Sequence, residues 1–143
     1  YSCETWNPYT KRNIDKLEAV QRRATRWITM SVDDYDTRLS KLNLLSLFNR
    51  RFIRDVTFLF NVINGHYDID ISNKLLFSKD RNTGYSLRKN DTQDLVPNFS
   101  RTNGFKYSFF NRIVKEWNSL PNNIRESNSI EIFKRNVLTF IKN

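Results

Sequence analysis

Few side chains in this 143-residue chain are of a type and spacing that could make or break bonds. His66 is the single histidine. It falls just past an expected helix end, where a solvated loop residue or a helix cap fits better than a general base. Without a second histidine or a cysteine beside it, it cannot complete the usual zinc site. Cys3 is the single cysteine, so an internal disulfide and a cysteine-built metal centre are excluded. No Cys–His–Asn pattern supports it as a nucleophile. Asp33-Asp34 resembles the paired carboxylates that hold two metals in polymerases and nucleases. The pair falls, however, where a helix should start, and the helix dipole favours acids there for structural reasons alone. Asp68 and Asp70 alternate in a loop that lacks the ligands and the glycine of an EF-hand. Three glycines leave no Gly-rich phosphate loop. The expectation is no catalytic residue, no metal and no cofactor, so that this chain alone is not an enzyme.

Cations give the stronger signal. The formal net charge is +9, from 24 Lys and Arg against 15 Asp and Glu. Lys11, Arg12, Lys16, Arg22, Arg23 and Arg26 cluster in one segment that holds only Asp15 and Glu18 as acids. Arg50, Arg51, Arg88, Lys89, Arg101, Lys106, Arg112 and Lys115 add charge elsewhere. Nucleic-acid phosphates draw affinity from such groups by releasing counterions. Aromatics interleaved with cations between Arg101 and Tyr107 would suit stacking on unpaired bases. A merely solvated surface over core aromatics is the alternative, and charge alone separates the two weakly.

The elements that must position these residues are mostly helical. Ile14, Leu17, Val20, Ala24, Trp27 and Ile28 recur at helical spacing, which predicts a helix from Lys11 to about Met30 with that face buried. Thr10 or Asn7 would cap it. Ser31-Val32-Asp33-Asp34 can cap a second, shorter helix carrying Tyr35, Leu39 and Leu42 inward. A third helix follows the break at residues 43–46. Its stripe is Phe48, Phe52, Val56, Leu59, Phe60 and Ile63, closed by Asn64 and a left-handed Gly65. Arg50, Arg51 and Arg54 near its start oppose the helix dipole, which suggests a partner for them.

Periodicity fades between residues 66 and 106, where a turn at residues 75–77 and short strands at 85–88 and 94–97 could form. Phe109, Phe110, Ile113, Val114 and Trp117 restore helical spacing until Pro121 stops it. Asn128 and Glu131 read as a capping box for a last helix that buries Ile130, Phe133, Val137 and Phe140 or Ile141. The fold expected is mainly α, with four or five helices around an aromatic-rich core that includes Trp6, Trp27 and Trp117. One domain is expected, with a helical part at 1–65, irregular basic loops at 66–106 and a helix pair at 107–143. Aromatic residues make up 14% of the chain, which argues against disorder, and no run is apolar enough to span a membrane. The start at Tyr1, without a basic then apolar leader, reads as a piece of something longer and not as a signal peptide. An intracellular location, cytoplasm or nucleus, is expected.

Several segments carry a family resemblance. Trp6-Asn7-Pro8-Tyr9-Thr10, followed by Leu17-Glu18-Ala19-Val20-Gln21-Arg22-Arg23-Ala24-Thr25, resembles a stretch beyond the polymerase core of jockey-like non-LTR retrotransposon reverse transcriptases. There the pattern is approximately W-x-P-Y, a spacer, then L-E-x-V-Q-R-R-A-T. Phe109-Phe110, Arg112 and Trp117-Asn118-Ser119-Leu120-Pro121 are similar to that family's F-F-x-x-R-x-x-x-x-W-N-x-L-P, with Arg112 one place early. Phe60-Asn61-Val62-Ile63-Asn64-Gly65 resembles Y-K-I-x-N-G, and Ser129 to Lys134 resembles the closing S-x-x-x-F-K. Arg38 to Leu44 and Arg50-Arg51 also fit in order. Asn43 stands where the family usually has Gly, and Leu45-Ser46-Leu47 lacks an expected Pro.

The resemblance implies a C-terminal piece of an RNA-directed DNA polymerase, from the thumb onward, whose catalytic palm lies upstream of Tyr1. Asp33-Asp34 lacks the palm's aromatic-x-Asp-Asp setting. The expected function is an accessory nucleic-acid-binding region that holds template RNA or an RNA–DNA hybrid by its backbone. Its contact residues would be Lys11, Arg12, Lys16, Arg22, Arg23 and Arg26, then Arg50, Arg51 and Arg112. The expected partners are that nucleic acid and the upstream polymerase core, with no membrane. The alternatives are a structural module packed on the thumb or core, its basic face against an acidic protein surface, and a decayed or host-adopted copy with another role.

Overall fold

The computed structural model describes residues 3–71, 73–80 and 93–142. The protein is mainly α. Its elements are α1 (Lys11–Thr29), α2 (Tyr35–Lys41), α3 (Leu47–Ile63), β1 (Leu76–Phe77), a 3-10 turn (Ser78–Asp80), β2 (Leu95–Val96), α4 (Asn103–Lys106), α5 (Phe109–Asn118), α6 (Asn122–Arg125) and α7 (Ile130–Lys142). The single-turn helices α4 and α6 are additions to the elements the sequence predicts. The chain forms two compact units, Asn7–Phe52 and Tyr1–Trp6 together with Ile53–Asn143, and α3 runs from one into the other.

In the larger unit, α3, α5 and α7 build an aromatic core. Val56, Leu59 and Phe60 from α3 are buried, as are Ile113, Val114 and Trp117 from α5 and Phe133 and Val137 from α7. These are the apolar stripes the helical spacing predicts. The Phe60 and Phe133 rings stack at 4.3 Å, and Trp117 lies 6.1 Å from Phe133. Offset aromatic pairs of this kind add to the large area each ring buries. Gly65 has a φ of 72°, and α3 closes through His66 N–H on the Asn61 carbonyl at 2.9 Å and Gly65 N–H on the Val62 carbonyl at 3.2 Å. That pair of bonds is the Schellman closure.

β1 and β2 pair antiparallel, Leu76 opposite Val96 and Phe77 opposite Leu95. The expected turn at 75–77 is therefore partly strand, because residues 76–77 find a partner that local pattern does not reveal. The strand expected at 94–97 is present as β2, and the one at 85–88 lies outside the described residues. The cap of α7 is Ser129, not Asn128: its Oγ accepts the Ile132 N–H at 3.3 Å. Glu131 therefore falls too early in the helix to complete a capping box. Phe48, expected inside, is exposed, and of the alternatives Phe140 and Ile141 the first is exposed and the second half-buried.

A charge cluster also lies in this unit. Asp55 is fully buried, and Arg112 donates to its carboxylate at 2.9 Å and to the Cys3 carbonyl at 2.6 Å. Burial pushes the Asp55 carboxyl upward, while Arg112 pulls it back. Burial, and next the Asp55 charge, raise Glu116 to about 7 and the Cys3 thiol to about 11. Arg54 holds Glu4 at 2.6 Å, so this α3 cation has an acidic partner.

In the smaller unit, α1 meets α2 and the start of α3 through polar side chains. Glu18, Gln21 and Thr25 are buried. Glu18 Oε1 accepts from the Tyr35 hydroxyl at 2.5 Å and from the Leu47 N–H at 3.1 Å. A carboxylate on the first N–H of α3 also suits that helix's dipole. Gln21 Nε2 donates to the Leu45 carbonyl at 2.9 Å, and Arg38 Nε donates to Thr25 Oγ1 at 3.4 Å. Residues 18, 21 and 25 recur at the same helical spacing as the apolar set, rotated by roughly a quarter turn at about 100° per residue.

The expected burial of the apolar face of α1 is thus overturned. Val20 is 67% exposed, Trp27 71% and Ile28 66%, while Ile14 and Leu17 are half-buried. The hydrogen-bond demands of Tyr35, Leu45, Leu47 and Arg38 fix the rotation of the helix instead. Trp6, at 54% exposed, also leaves the expected core, whereas Trp117 is buried in it.

Candidate nucleic-acid interface

α1 is 19 residues long and begins and ends as expected, with Thr10 at its N-cap and Met30 in the left-handed region at its C-cap. Thr10 makes no side-chain capping bond. With Glu18, Gln21 and Thr25 turned inward, about 100° per residue fixes the rest of the circumference. Arg12, Lys16 and Arg23 lie opposite the buried row. Trp27 lies with them, while Lys11, Arg22 and Arg26 occupy one flank, and Val20 and Ala24 the other.

All six cations are solvent-exposed. Among the described residues, none of the six forms an ion pair within 4 Å: the pairs found are Lys41–Asp33, Arg54–Glu4, Arg112–Asp55 and Arg125–Asp94. Arg22 lies over the Tyr35 ring, 5.2 Å from its centroid, which orients it without neutralising it.

The other predicted contact residues are placed differently. Arg50 is exposed and donates to Gln21 Oε1. Arg51 is half-buried, and its Nε and Nη2 are buried without a hydrogen-bond partner. Arg112 lies in the larger unit, its side chain 11% exposed and paired with Asp55. Arg88 and Lys89 lie outside the described residues.

The candidate catalytic groups serve local structure. Asp34 caps α2, accepting the Thr37 N–H at 3.2 Å, and the Thr37 side chain and backbone together hold its carboxyl below the ordinary range. Asp33 pairs with Lys41 at 2.5 Å, and that bond lowers its carboxyl too. His66 is exposed, and its backbone N–H closes α3. Among the described residues no three His, Cys, Asp or Glu side chains gather where a metal could bind. No helix among them is long and apolar enough to cross a membrane.

Sequence reasoning missed Glu18, Gln21 and Thr25 as the residues that aim the cations outward. The signal lay in the L-E-x-V-Q-R-R-A-T segment itself: its Glu, Gln and Thr fall on one helix face, and its two Arg on others.

No family model matches the chain, and no solved structure matches it. Uncharacterized protein B0403.1 of Caenorhabditis elegans is 32% identical over 71 residues. The match covers 47% of this chain and 36% of the relative, so the chain spans about a third of that protein's length.

Proposed function

We propose that this chain is an accessory nucleic-acid-binding region of a non-LTR retrotransposon reverse transcriptase, holding template RNA or an RNA–DNA hybrid through backbone phosphates. The observation that carries it is the set of six exposed cations on α1, none of them ion-paired among the described residues. Exposed, unneutralised cations are what a phosphate backbone binds with release of its counterions. The resemblance of the W-x-P-Y and L-E-x-V-Q-R-R-A-T segments supports this reading, under which the catalytic palm would belong to another part of the parent polypeptide. Arg50 is exposed in the same unit but donates to Gln21, on the side of α1 away from Arg12, Lys16 and Arg23.

One observation favours a protein-docking module instead: Val20 and Ile28 on α1 are aliphatic and exposed. Fluorescence-anisotropy titrations with RNA, RNA–DNA hybrid and DNA duplex across a salt series separate the readings. Nucleic-acid binding predicts a log–log salt slope of roughly −0.7 to −0.9 per phosphate neutralised. Replacing Arg12, Lys16 and Arg23 together with Glu should abolish binding at moderate salt. The absence of binding to all three ligands at low salt sinks the proposal.

A further inference from the structure

We propose that the α1 surface takes single-stranded nucleic acid, with the Trp27 indole stacking on an unpaired base beside phosphates held by Arg23 and Lys16. This rests on the nucleic-acid reading of the same helix and specifies its ligand. Three observations carry it. Trp27 is 71% exposed on a helix whose polar row, not its apolar one, is buried. Arg23 stands four residues before Trp27, one turn away on the same face, where i and i+4 side chains are neighbours. Lys16 borders that face, since eleven residues make close to three full turns. Neither cation is ion-paired among the described residues.

Charge selects an anionic ligand for this surface, and the indole narrows the choice. In a duplex every base is already stacked between its neighbours, so an aromatic side chain on a rigid helix has no free π-face to cover. A single strand offers such faces at each nucleotide, and base–aromatic stacking tolerates any sequence because every base has one. Val20, about two turns before Trp27 and also exposed, adds apolar surface along the helix where a further base face can lie.

The test uses the whole chain with a fluorescein-labelled 12-nucleotide oligouridine and a blunt RNA duplex of equal charge. Wild type should prefer the single strand, and oligouridine should quench its tryptophan emission. Trp27→Ala should weaken single-strand binding roughly tenfold, within the usual worth of one base–aromatic stack. It should leave duplex affinity and the salt slope unchanged. Trp27→Phe should retain most of the affinity and lose the quenching, although Trp6 and Trp117 remain. Because Trp27 makes little contact within the fold, circular dichroism of both variants should match wild type.

Equal binding of single strand and duplex, both indifferent to Trp27→Ala, overturns this inference while leaving the phosphate-binding reading intact. Loss of both in proportion overturns it too, as does a change in sedimentation of Trp27→Ala without a change in single-strand affinity, which would assign the patch to a second copy of the chain. Failure of every nucleic acid to bind overturns both proposals together.

Discussion

Asn118 meets Leu95 twice: its Oδ1 accepts the Leu95 N–H and its Nδ2 donates to the Leu95 carbonyl, each at 2.9 Å. Leu95 is 2% exposed, so neither backbone group has water to fall back on. β2 pairs with β1 along one edge, and the Asn118 amide satisfies Leu95 as a further strand would. Asn carries a donor and an acceptor at one end, which suits this double contact. Trp117 Nε1 donates to the Gln93 carbonyl at 2.9 Å, and Arg125 pairs with Asp94 at 2.7 Å. The W-N-x-L-P segment and α6 thus grip residues 93–95 from the helical side.

Asn118→Leu removes both bonds and leaves two buried backbone groups without partners. Each such group costs about 1–3 kcal/mol, so the urea midpoint should fall clearly. Asn118→Asp keeps the acceptor and loses the donor, and should fall between wild type and Asn118→Leu. A midpoint for Asn118→Leu equal to wild type would show that this contact does not form in solution.

Glu18 joins three elements through one carboxylate oxygen, so Glu18→Ala leaves the Tyr35 hydroxyl and the Leu47 N–H without their acceptor. The expected loss is about 2 kcal/mol, seen as faster amide exchange across residues 35–50. Glu18→Gln keeps an oxygen acceptor and should lose less. Equal protection in wild type and Glu18→Ala would restore the alternative rotation of α1, with Val20 and Trp27 turned inward.

The larger unit was legible from periodicity because its helices obey it: Val56, Leu59, Phe60, Ile113, Trp117, Phe133 and Val137 are all on predicted stripes and all buried. α1 was legible as a helix but not in its rotation. Its apolar stripe and its Glu18–Gln21–Thr25 row have the same period, and only partners distant in sequence decide between them. Leu45 and Leu47 offer backbone groups to the Gln21 and Glu18 side chains of α1. For the same reason the cations were legible as a group, whereas the pairing of Arg112 with Asp55 across 57 positions was not.

Two residues sit where backbone conformation, not packing, sets the tolerance. Gly65 has a φ of 72°, and a Cβ there would meet nothing within 4 Å, so any cost of Gly65→Ala is conformational. About 1–2 kcal/mol is expected. Asn43, with a φ of 49°, closes α2 through Leu44 N–H on the Leu39 carbonyl at 2.9 Å. It stands where the resembled family usually has Gly, and Asn is the residue that best tolerates this region after Gly. Asn43→Gly should be near neutral, and Asn43→Ala should cost about 1 kcal/mol. Thermal melts of the three variants check the ranking; an Asn43→Ala melt above that of Asn43→Gly would contradict the left-handed closure.

The Glu116 carboxyl sets a pH dependence whose sign follows from its surroundings. Burial is the main cause that raises it from 4.5 to about 7, the Asp55 charge adds to that, and Arg112 opposes it. Between those two values the folded chain keeps a proton that the unfolded chain has released. Stability therefore falls as pH rises through that window, by at most about 1.4 kcal/mol per unit, and levels off above it. Asp55, also raised by burial, shares the sign. Asp33 and Asp34, held low by Lys41 and Thr37, act at the acid end, where stability falls as pH falls. Glu116→Gln supplies a neutral isostere of the protonated acid. Urea midpoints at pH 5, 6, 7 and 8 should decline for wild type and decline less for Glu116→Gln, which should be the more stable protein at pH 8. Parallel declines for the two proteins would remove Glu116 as the source.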